Sequence, residues 1–279
     1  MITIMELYVK TIIEKALSED IGPGDVTSVA TIPVGSTSTA EMLAKQDFVL
    51  AGLDVSLEVF HTLDAAVQFT RFAQDGDRIK SGKVIARLSG STRVLLAGER
   101  VALNLLQHMS GIATLTSKYV EQIKGFKAQV LDTRKTLPGL RQLEKYAVRM
   151  GGGVNHRFGL YDGVLIKDNH IKAAGGITNA IESARKQARN LLKIEVETKS
   201  LDDVREALAA KADIIMLDNM SLDTMREAVK LINDRAPVEA SGNVTLETIR
   251  AVAETGVDFI SSGTLTHSAP AVDISMKIK

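Results

Sequence analysis

The chain has 279 residues and is 45% hydrophobic, enough for one large domain or two ordinary ones around a substantial core. Lys and Arg balance Asp and Glu at 34 each, and aromatics make up 4% with no Trp, so a general nucleic-acid or anionic-membrane binder and a base-stacking platform are disfavoured. The absence of cysteine excludes disulfides, thiolate catalysis and cysteine-based zinc or iron–sulfur sites.

In chain order, Leu7, Ile12, Ile13, Ala16 and Leu17 form a helical stripe, with Glu6, Lys10, Glu14 and Lys15 set into the pattern. That mixture reads as an amphipathic helix rather than a secretory signal, and no apolar run reaches membrane-spanning length, so a cytoplasmic protein is expected. The helix gives way to a turn-rich loop, SEDIGPGDVTS. Residues 38–44, 67–72 and 84–88 then change to short β-forming runs, and 53–62 is the clearest helix between them. Residues 20–92 therefore predict an antiparallel sheet with one or two helices, Asp75-Gly76-Asp77 being a hairpin turn. Residues 94–124 carry a long helical pattern, with a break expected near Gly111. On this pattern alone Arg100 is a solvated helix residue, and His108, on the apolar face, is a core residue.

From Gln129 the rhythm becomes strand–helix. QVLDT, GVLIKD, LLKIEVET, DIIMLDN, PVEASGN and DFISSGT alternate with helical segments at 140–150, 179–191, 201–210, 222–233 and 246–254. This predicts a parallel sheet, either open or closed into a barrel. Each strand ends in a polar or small residue: Asp132, Lys167, Glu197, Asp218, Ser241 and Ser262. Polar tips on every strand favour a barrel, whose strand ends share one mouth, and six strands leave it short of the usual eight. The tail alternates Val272, Ile274, Met276 and Ile278, as a strand returning to the first sheet would.

The chemistry concentrates at those tips. Arg134, Lys135, His156, Arg157 and Lys167 converge on one small volume if the strands are parallel, and crowded cations call for a multiply anionic ligand. The plainer alternative is salt bridging of Arg134 to Asp132 and Lys167 to Asp168, but sequence neighbours on a strand point to opposite faces. Glu197 and Asp218 suit a divalent metal or ribose hydroxyls; each could instead cap the next helix or neutralise the cations. Ser241-Gly242-Asn243 and Ser262-Gly263-Thr264 are small loops at the last two tips, where barrels often bind phosphate. Gly151-Gly152-Gly153 exceeds what a helix end requires and points to close packing or ligand approach. There is no nucleophile elbow, H-E-x-x-H, P-loop or dinucleotide fingerprint.

DTRKTLPGLRQLEKYAV, GGGVNHRFGLYDGVLIKDNHI, IEVET, IMLDN, EASGN and ISSGTLTHS closely resemble the quinolinate phosphoribosyltransferases, as do EDIGPGDVTS and GERVALNLLQHMSGIAT nearer the N-terminus. The resemblance implies an N-terminal open-faced α/β sandwich (1–110, with 266–279 returning to it) and an incomplete parallel α/β barrel (111–265), assembled as a homodimer or larger. It implies transfer of phosphoribosyl from phosphoribosyl pyrophosphate to quinolinate with decarboxylation, requiring Mg²⁺. By motif, Arg134, His156, Arg157 and Lys167 would bind the quinolinate carboxylates, and Arg100 would reach a neighbouring subunit's site. Thr133, Lys135, Glu197, Asp218, Ser241, Gly242, Asn243, Ser262, Gly263 and Thr264 would hold the donor, with Glu197 and Asp218 at the metal and Lys135, Glu197 and Asp218 serving the chemistry. A related enzyme acting on another heteroaromatic acid, a Schiff-base lyase using Lys167 and a non-catalytic phosphate-binding barrel are the rivals.

Overall fold

The computed structural model describes residues 4–187 and 192–279. They divide into two compact units: residues up to Ser117 with Leu137–Gly152 and Ser268–Lys279, and Lys118–Thr136 with Gly153–His267.

The chain begins with α1 (Ile4–Ile21) and α2 (Val26–Thr31), followed by β1 (Thr37–Ala44), β2 (Phe48–Val49), α3 (Leu53–Leu63), β3 (Gln68–Arg71), β4 (Arg78–Ile79), β5 (Val84–Ser91) and α4 (Thr92–Gln122). Strand β5 pairs antiparallel with β1 on one side and β3 on the other. Along β1, Ala40, Met42 and Ala44 are buried, while Glu41 turns outward to accept a hydrogen bond from its register partner Arg87 at 2.7 Å. One face of the sheet is core and the other is polar, which is what period-two alternation dictates. Three details differ from the sequence expectations. The loop 20–30 contains α2, capped by the Asp25 carboxylate, which accepts from Ser28 N at 3.0 Å. Asp75-Gly76-Asp77 is a turn but not a hairpin, because β3 pairs with β5 whereas β4 pairs with β2. Asp75 instead accepts from the Gly52 and Leu53 amides at the start of α3, and from Tyr146 Oη at 2.8 Å. Finally, α4 runs unbroken through Gly111, where a Cβ would collide with the Pro270 carbonyl oxygen; the glycine serves a close backbone approach rather than a helix break.

Next come β6 (Gln129–Leu131), α5 (Arg141–Met150), β7 (Val164–Ile166), α6 (Asp168–Ala174), α7 (Ile177–Gln187), β8 (Ile194–Thr198), α8 (Leu201–Ala209), β9 (Ile214–Asp218), α9 (Leu222–Ile232), β10 (Val238–Ser241), α10 (Ile249–Ala253), β11 (Phe259–Ser261) and α11 (Thr264–His267). Helix α5 groups with the first unit, where His108 donates from Nε2 to the fully buried Glu144 at 2.9 Å. His108 is thus a half-buried, hydrogen-bonded residue rather than a core one. At the end of α5, Gly151 lies so close to the Ala113 carbonyl that any side chain would clash, in keeping with close packing. Helix α6 follows β7 at once; it is too short to carry a periodic signal and was not expected. The end of the helix expected at 179–191 lies partly outside the described residues. Helix α10 begins three residues later than expected because Thr245 and Thr248 close a turn ahead of it, Thr245 N donating to Thr248 Oγ1 at 2.9 Å.

Among the described residues the second unit's strands form one parallel sheet in the order β6-β11-β10-β9-β8-β7. The first strand lies beside the last, as in a closed barrel, but β6 and β7 do not pair; a single parallel bridge, Leu131 to Val154, lies in that gap. Val196, Ile215, Leu217, Ala240 and Ile260 have no exposed surface, as strands covered on both faces require. The tail supplies β12 (Ile274–Ile278), which pairs antiparallel with β1 and completes the first sheet as β12-β1-β5-β3.

Candidate active site

The strand tips of the second unit open into one cavity of about 740 Å³. At the tip of β6 the chain turns away, and the gap beside it is filled by the segment 154–157. Val154 N donates to Val130 O at 2.8 Å and Asp132 N to Val154 O at 3.2 Å. Asp132, with no exposed surface, accepts from Asn155 Nδ2 at 2.6 Å and from His156 N at 2.8 Å. Asp132 is therefore the buried support of this segment, and it brings His156 and Arg157 beside Arg134. Burial, and after it the Arg134 charge, lower the proton affinity of the Arg157 guanidinium. The nearby carboxylates of Glu195 and Asp162 act the other way, and an anion placed between the two guanidinium groups would relieve their repulsion further.

His156 is held from both ring nitrogens. Nδ1 accepts from Arg157 N at 2.7 Å, and Nε2 lies 2.9 Å from Glu195 and 3.4 Å from Glu239. Burial opposes protonation of the imidazole, but the hydrogen bonds and charges of Glu195 and Glu239 outweigh it and raise its proton affinity well above the ordinary value. With Nδ1 accepting from Arg157 N, the neutral ring carries its N–H on Nε2, toward the carboxylates; a second proton, which the carboxylates favour, would go to Nδ1 and give up the Arg157 N contact. Glu195 is pushed up to about 7, chiefly by burial. The five expected cations thus do not face a purely cationic volume: the floor beneath them carries two buried carboxylates, and His156 is engaged with both. These three residues bring ligand atoms within 4.8 Å of one another, but the imidazole proton already ties the group together.

Lys167 sits at the tip of β7 as the N-cap of α6, its Nζ 3.7 Å from Glu197, while Asp168 pairs with Lys199. The simple Lys167–Asp168 bridge is therefore not the arrangement found. Glu197 and Asp218 do not cap the helices that follow them. Ser200 caps α8, accepting from Asp203 N at 3.1 Å, and Ser221 caps α9, accepting from Thr224 N at 3.2 Å. Both carboxylates face the cavity instead. Burial and then the Asp218 charge raise Glu197 above its ordinary carboxyl range. A hard divalent cation relieves that repulsion, and an oxygen-only donor pair fits Mg²⁺.

The last two tips are tied together by Ser261 Oγ donating to Ser241 Oγ at 3.1 Å. Lys135 is anchored where its carbonyl accepts from Thr266 Oγ1 at 2.8 Å and its amide donates to Thr133 Oγ1 at 3.0 Å. Thr133, Arg134, Lys135, His156, Arg157, Lys167, Glu197, Asp218, Ser241, Gly242, Asn243, Ser262, Gly263 and Thr264 all line the one cavity. The remaining candidate, Arg100, is an exposed residue of α4 in the first unit. Sequence reasoning missed Asn219, Glu239 and His267, which also line the cavity, and Glu195 beneath it. The acidic pair was detectable in principle, since a charged residue in the middle of an apolar strand (IEVET, PVEAS) needs a buried partner.

Residues 25–110 match the quinolinate phosphoribosyl transferase N-terminal domain, and residues 112–277 match the C-terminal domain of the same family. A Bacillus subtilis (strain 168) protein named as a probable nicotinate-nucleotide pyrophosphorylase (carboxylating) is 48% identical, over 98% of this chain and 94% of its own. A mitochondrial quinolinate phosphoribosyltransferase (decarboxylating) of Nicotiana glauca is 44% identical over 96% of this chain and 82% of its own. The crystal structure of NadC from Streptococcus pyogenes superposes with a TM-score of 0.95 at 46% identity, covering 98% of this chain and 97% of that one. With both domain matches in series and relatives this similar along nearly their whole length, the chain belongs to the quinolinate phosphoribosyltransferase family and is an enzyme of the phosphoribosyl-transferring class.

Proposed function

We propose that this cavity performs the family's reaction, joining quinolinate to phosphoribosyl pyrophosphate and releasing pyrophosphate and carbon dioxide to give nicotinate mononucleotide. The observation that carries the reading is that one cavity is lined both by the cations Arg134, Arg157 and Lys167 and by the carboxylates Glu197 and Asp218, with Lys167 and Glu197 meeting where the two sets adjoin. Guanidinium forks match carboxylates in pairs, which suits the two acids of quinolinate. His156, fixed from both nitrogens, sets the position of Arg157 at the floor. On the other side, Lys135 and the backbone amides of Ser241-Gly242-Asn243 and Ser262-Gly263-Thr264 would hold the phosphates.

The chemistry then follows from placement. The C1–O bond of the donor breaks with its electrons leaving on pyrophosphate, passing through an oxocarbenium-like state that the carboxylates of Glu197 and Asp218 favour electrostatically. Lys135 offsets the charge on the departing group. The pyridine nitrogen forms the new bond to C1. The ring, now a pyridinium, accepts the electrons of the adjacent C–CO₂ bond, and the carbon takes up a proton. Mg²⁺ bound by Glu197 and Asp218 would neutralise the pyrophosphate. No covalent enzyme intermediate is required.

We also read the active assembly as a homodimer or larger, with Arg100 reaching a neighbouring copy's cavity; its exposure on α4 supports this. A cytoplasmic location completes the reading, supported by an amphipathic first helix whose Ile13 and Leu17 are buried while Lys10, Glu14 and Lys15 are exposed; among the described residues no helix is long and apolar enough to cross a membrane. The reaction is tested with purified protein, both substrates and Mg²⁺, omitting each in turn. One carbon dioxide per nucleotide is expected, with no product when any component is missing. Nucleotide formation from quinolinate without carbon dioxide would contradict the decarboxylation, and turnover of another heteroaromatic acid in place of quinolinate would identify that acid as the substrate.

A further inference from the structure

We infer that Asn219 is a positioning residue for the donor side of the cavity: it locks the Asp218 carboxylate to the Ser241-Gly242-Asn243 loop before any ligand arrives. Asn219 follows β9 directly and its backbone is left-handed, with φ of 54°. Its amide N–H donates to Ser241 O at 2.9 Å, so the tips of β9 and β10 are joined beyond the last register pair, Ser241 to Asp218. Its side chain continues the link. Nδ2 donates to Asp218 Oδ1 at 2.9 Å, and Oδ1 accepts from Asn243 Nδ2 at 3.1 Å.

The direction of this relay is fixed by chemistry. An ionised Asp218 carboxylate can only accept, so Asn219 must present its NH₂ there, which leaves its oxygen for the Asn243 NH₂. Asn243 is also left-handed, with φ of 50°, and Gly242 between them has φ of 103°. A side chain at Gly242 would overlap the Asn219 amide, so the amide lies flat against the loop backbone. A glycine and two left-handed asparagines, from the tips of two neighbouring strands, thus build one contact. Strained backbone of this kind is retained where the surroundings demand it, and clusters at functional sites.

The purpose is spacing. The donor spans the distance between a phosphate cradle and the carboxylates that face its anomeric carbon, and the relay sets that distance in advance. Asn219 is neutral, so it directs Asp218 without adding charge to the Glu197–Asp218 pair. An aspartate in its place would put a third negative group there and lose the Nδ2 donor that reaches Asp218.

This inference rests on the donor reading of the same residues, and the test separates the two. Asn219→Gly keeps the left-handed backbone accessible but removes the side-chain relay; Asn219→Asp keeps the shape and reverses the charge logic; Asp218→Asn serves as the control on the reading itself. Binding of phosphoribosyl pyrophosphate with Mg²⁺, and of quinolinate separately, is measured by calorimetry, with thermal unfolding to confirm the fold. Asn219→Gly is expected to weaken donor binding about tenfold, the scale of losing a hydrogen bond to a charged group, and Asn219→Asp more. Quinolinate binding should stay within about twofold of the parent, a split that general destabilisation of the loop would not produce. Asp218→Asn weakening the donor while Asn219→Gly leaves it unchanged would overturn the inference and keep the donor reading. Equal losses for both ligands in Asn219→Gly would also overturn it. Full donor affinity in Asp218→Asn would overturn the donor reading beneath it.

Discussion

At the scale of single residues, the buried pair Glu195 and Glu239 determines how the cationic wall can exist. Arg157 and Arg134 disfavour one another, and His156 alone would add to the repulsion. The two carboxylates beneath the floor hold the imidazole proton on Nε2, which fixes the ring, and the ring's Nδ1 in turn fixes the Arg157 backbone. This arrangement has a stability signature. Glu195 is raised from an ordinary 4.5 to about 7, mainly by burial. A carboxyl that binds its proton more tightly when folded contributes stability that is fully present below pH 4.5 and is lost as pH rises through about 7. Resistance of the wild type to urea should therefore fall as pH rises over that window, and Glu195→Gln, which cannot ionise, should flatten this part of the profile. An unchanged slope in the variant would mean that Glu195 does not hold the proton.

At the scale of elements, Gly111 carries the sharpest structural demand on α4. Gly111→Ala drives a methyl into the Pro270 carbonyl, where backbone has to shift. Overpacking of this kind costs about 1–3 kcal/mol, which chemical denaturation would read directly; a loss below about 0.5 kcal/mol would mean the tail segment yields freely. The same glycine explains why a helix break was expected there from sequence. Glycine signals both breaks and close approaches, and only the neighbour in space, Pro270, distinguishes them. Strand–helix alternation from Gln129 onward was legible because β-branched runs such as IIML and helices such as LDTMREAVKLI differ in period. Helices α2 and α6 were not, since six or seven residues give too few turns for a stripe. The tips Arg134, Lys167, Glu197 and Asp218 were legible because charges that abruptly end apolar strands have one place to go in a barrel, whereas Arg157 showed only through its place beside His156 in a polar loop. Glu195 and Glu239 left a trace, as charges inside apolar strands, but their partner His156 and the contacts of Asn219 with the next strand's loop are named by no local pattern.

At the scale of the whole molecule, an open parallel barrel with its first strand beside its last gives six tips sharing one rim, and the proposed reaction asks that rim to hold ligands of opposite need. A dicarboxylate is drawn to guanidinium and ammonium groups, while a sugar pyrophosphate with its cation is drawn to carboxylates and amides. Placing both within about 740 Å³ supplies orientation that two separate sites would not. If Arg100 completes a neighbour's cavity, two inactive variants should rescue each other. Arg100→Ala mixed with Arg134→Ala and allowed to exchange subunits should recover about a quarter of the parent activity, because half of the dimers then carry one intact cavity. No recovery despite confirmed exchange would place Arg100 outside the site.

Whether the cations and the carboxylates of the one cavity serve different ligands is read by calorimetric titration of the Arg157→Ala protein with quinolinate and, separately, with phosphoribosyl pyrophosphate and Mg²⁺. Quinolinate affinity should fall by about 30-fold or more, the scale of a lost charge-assisted pair, while donor affinity stays within about threefold of the parent. Equal losses for the two ligands, or a loss confined to the donor, would contradict it.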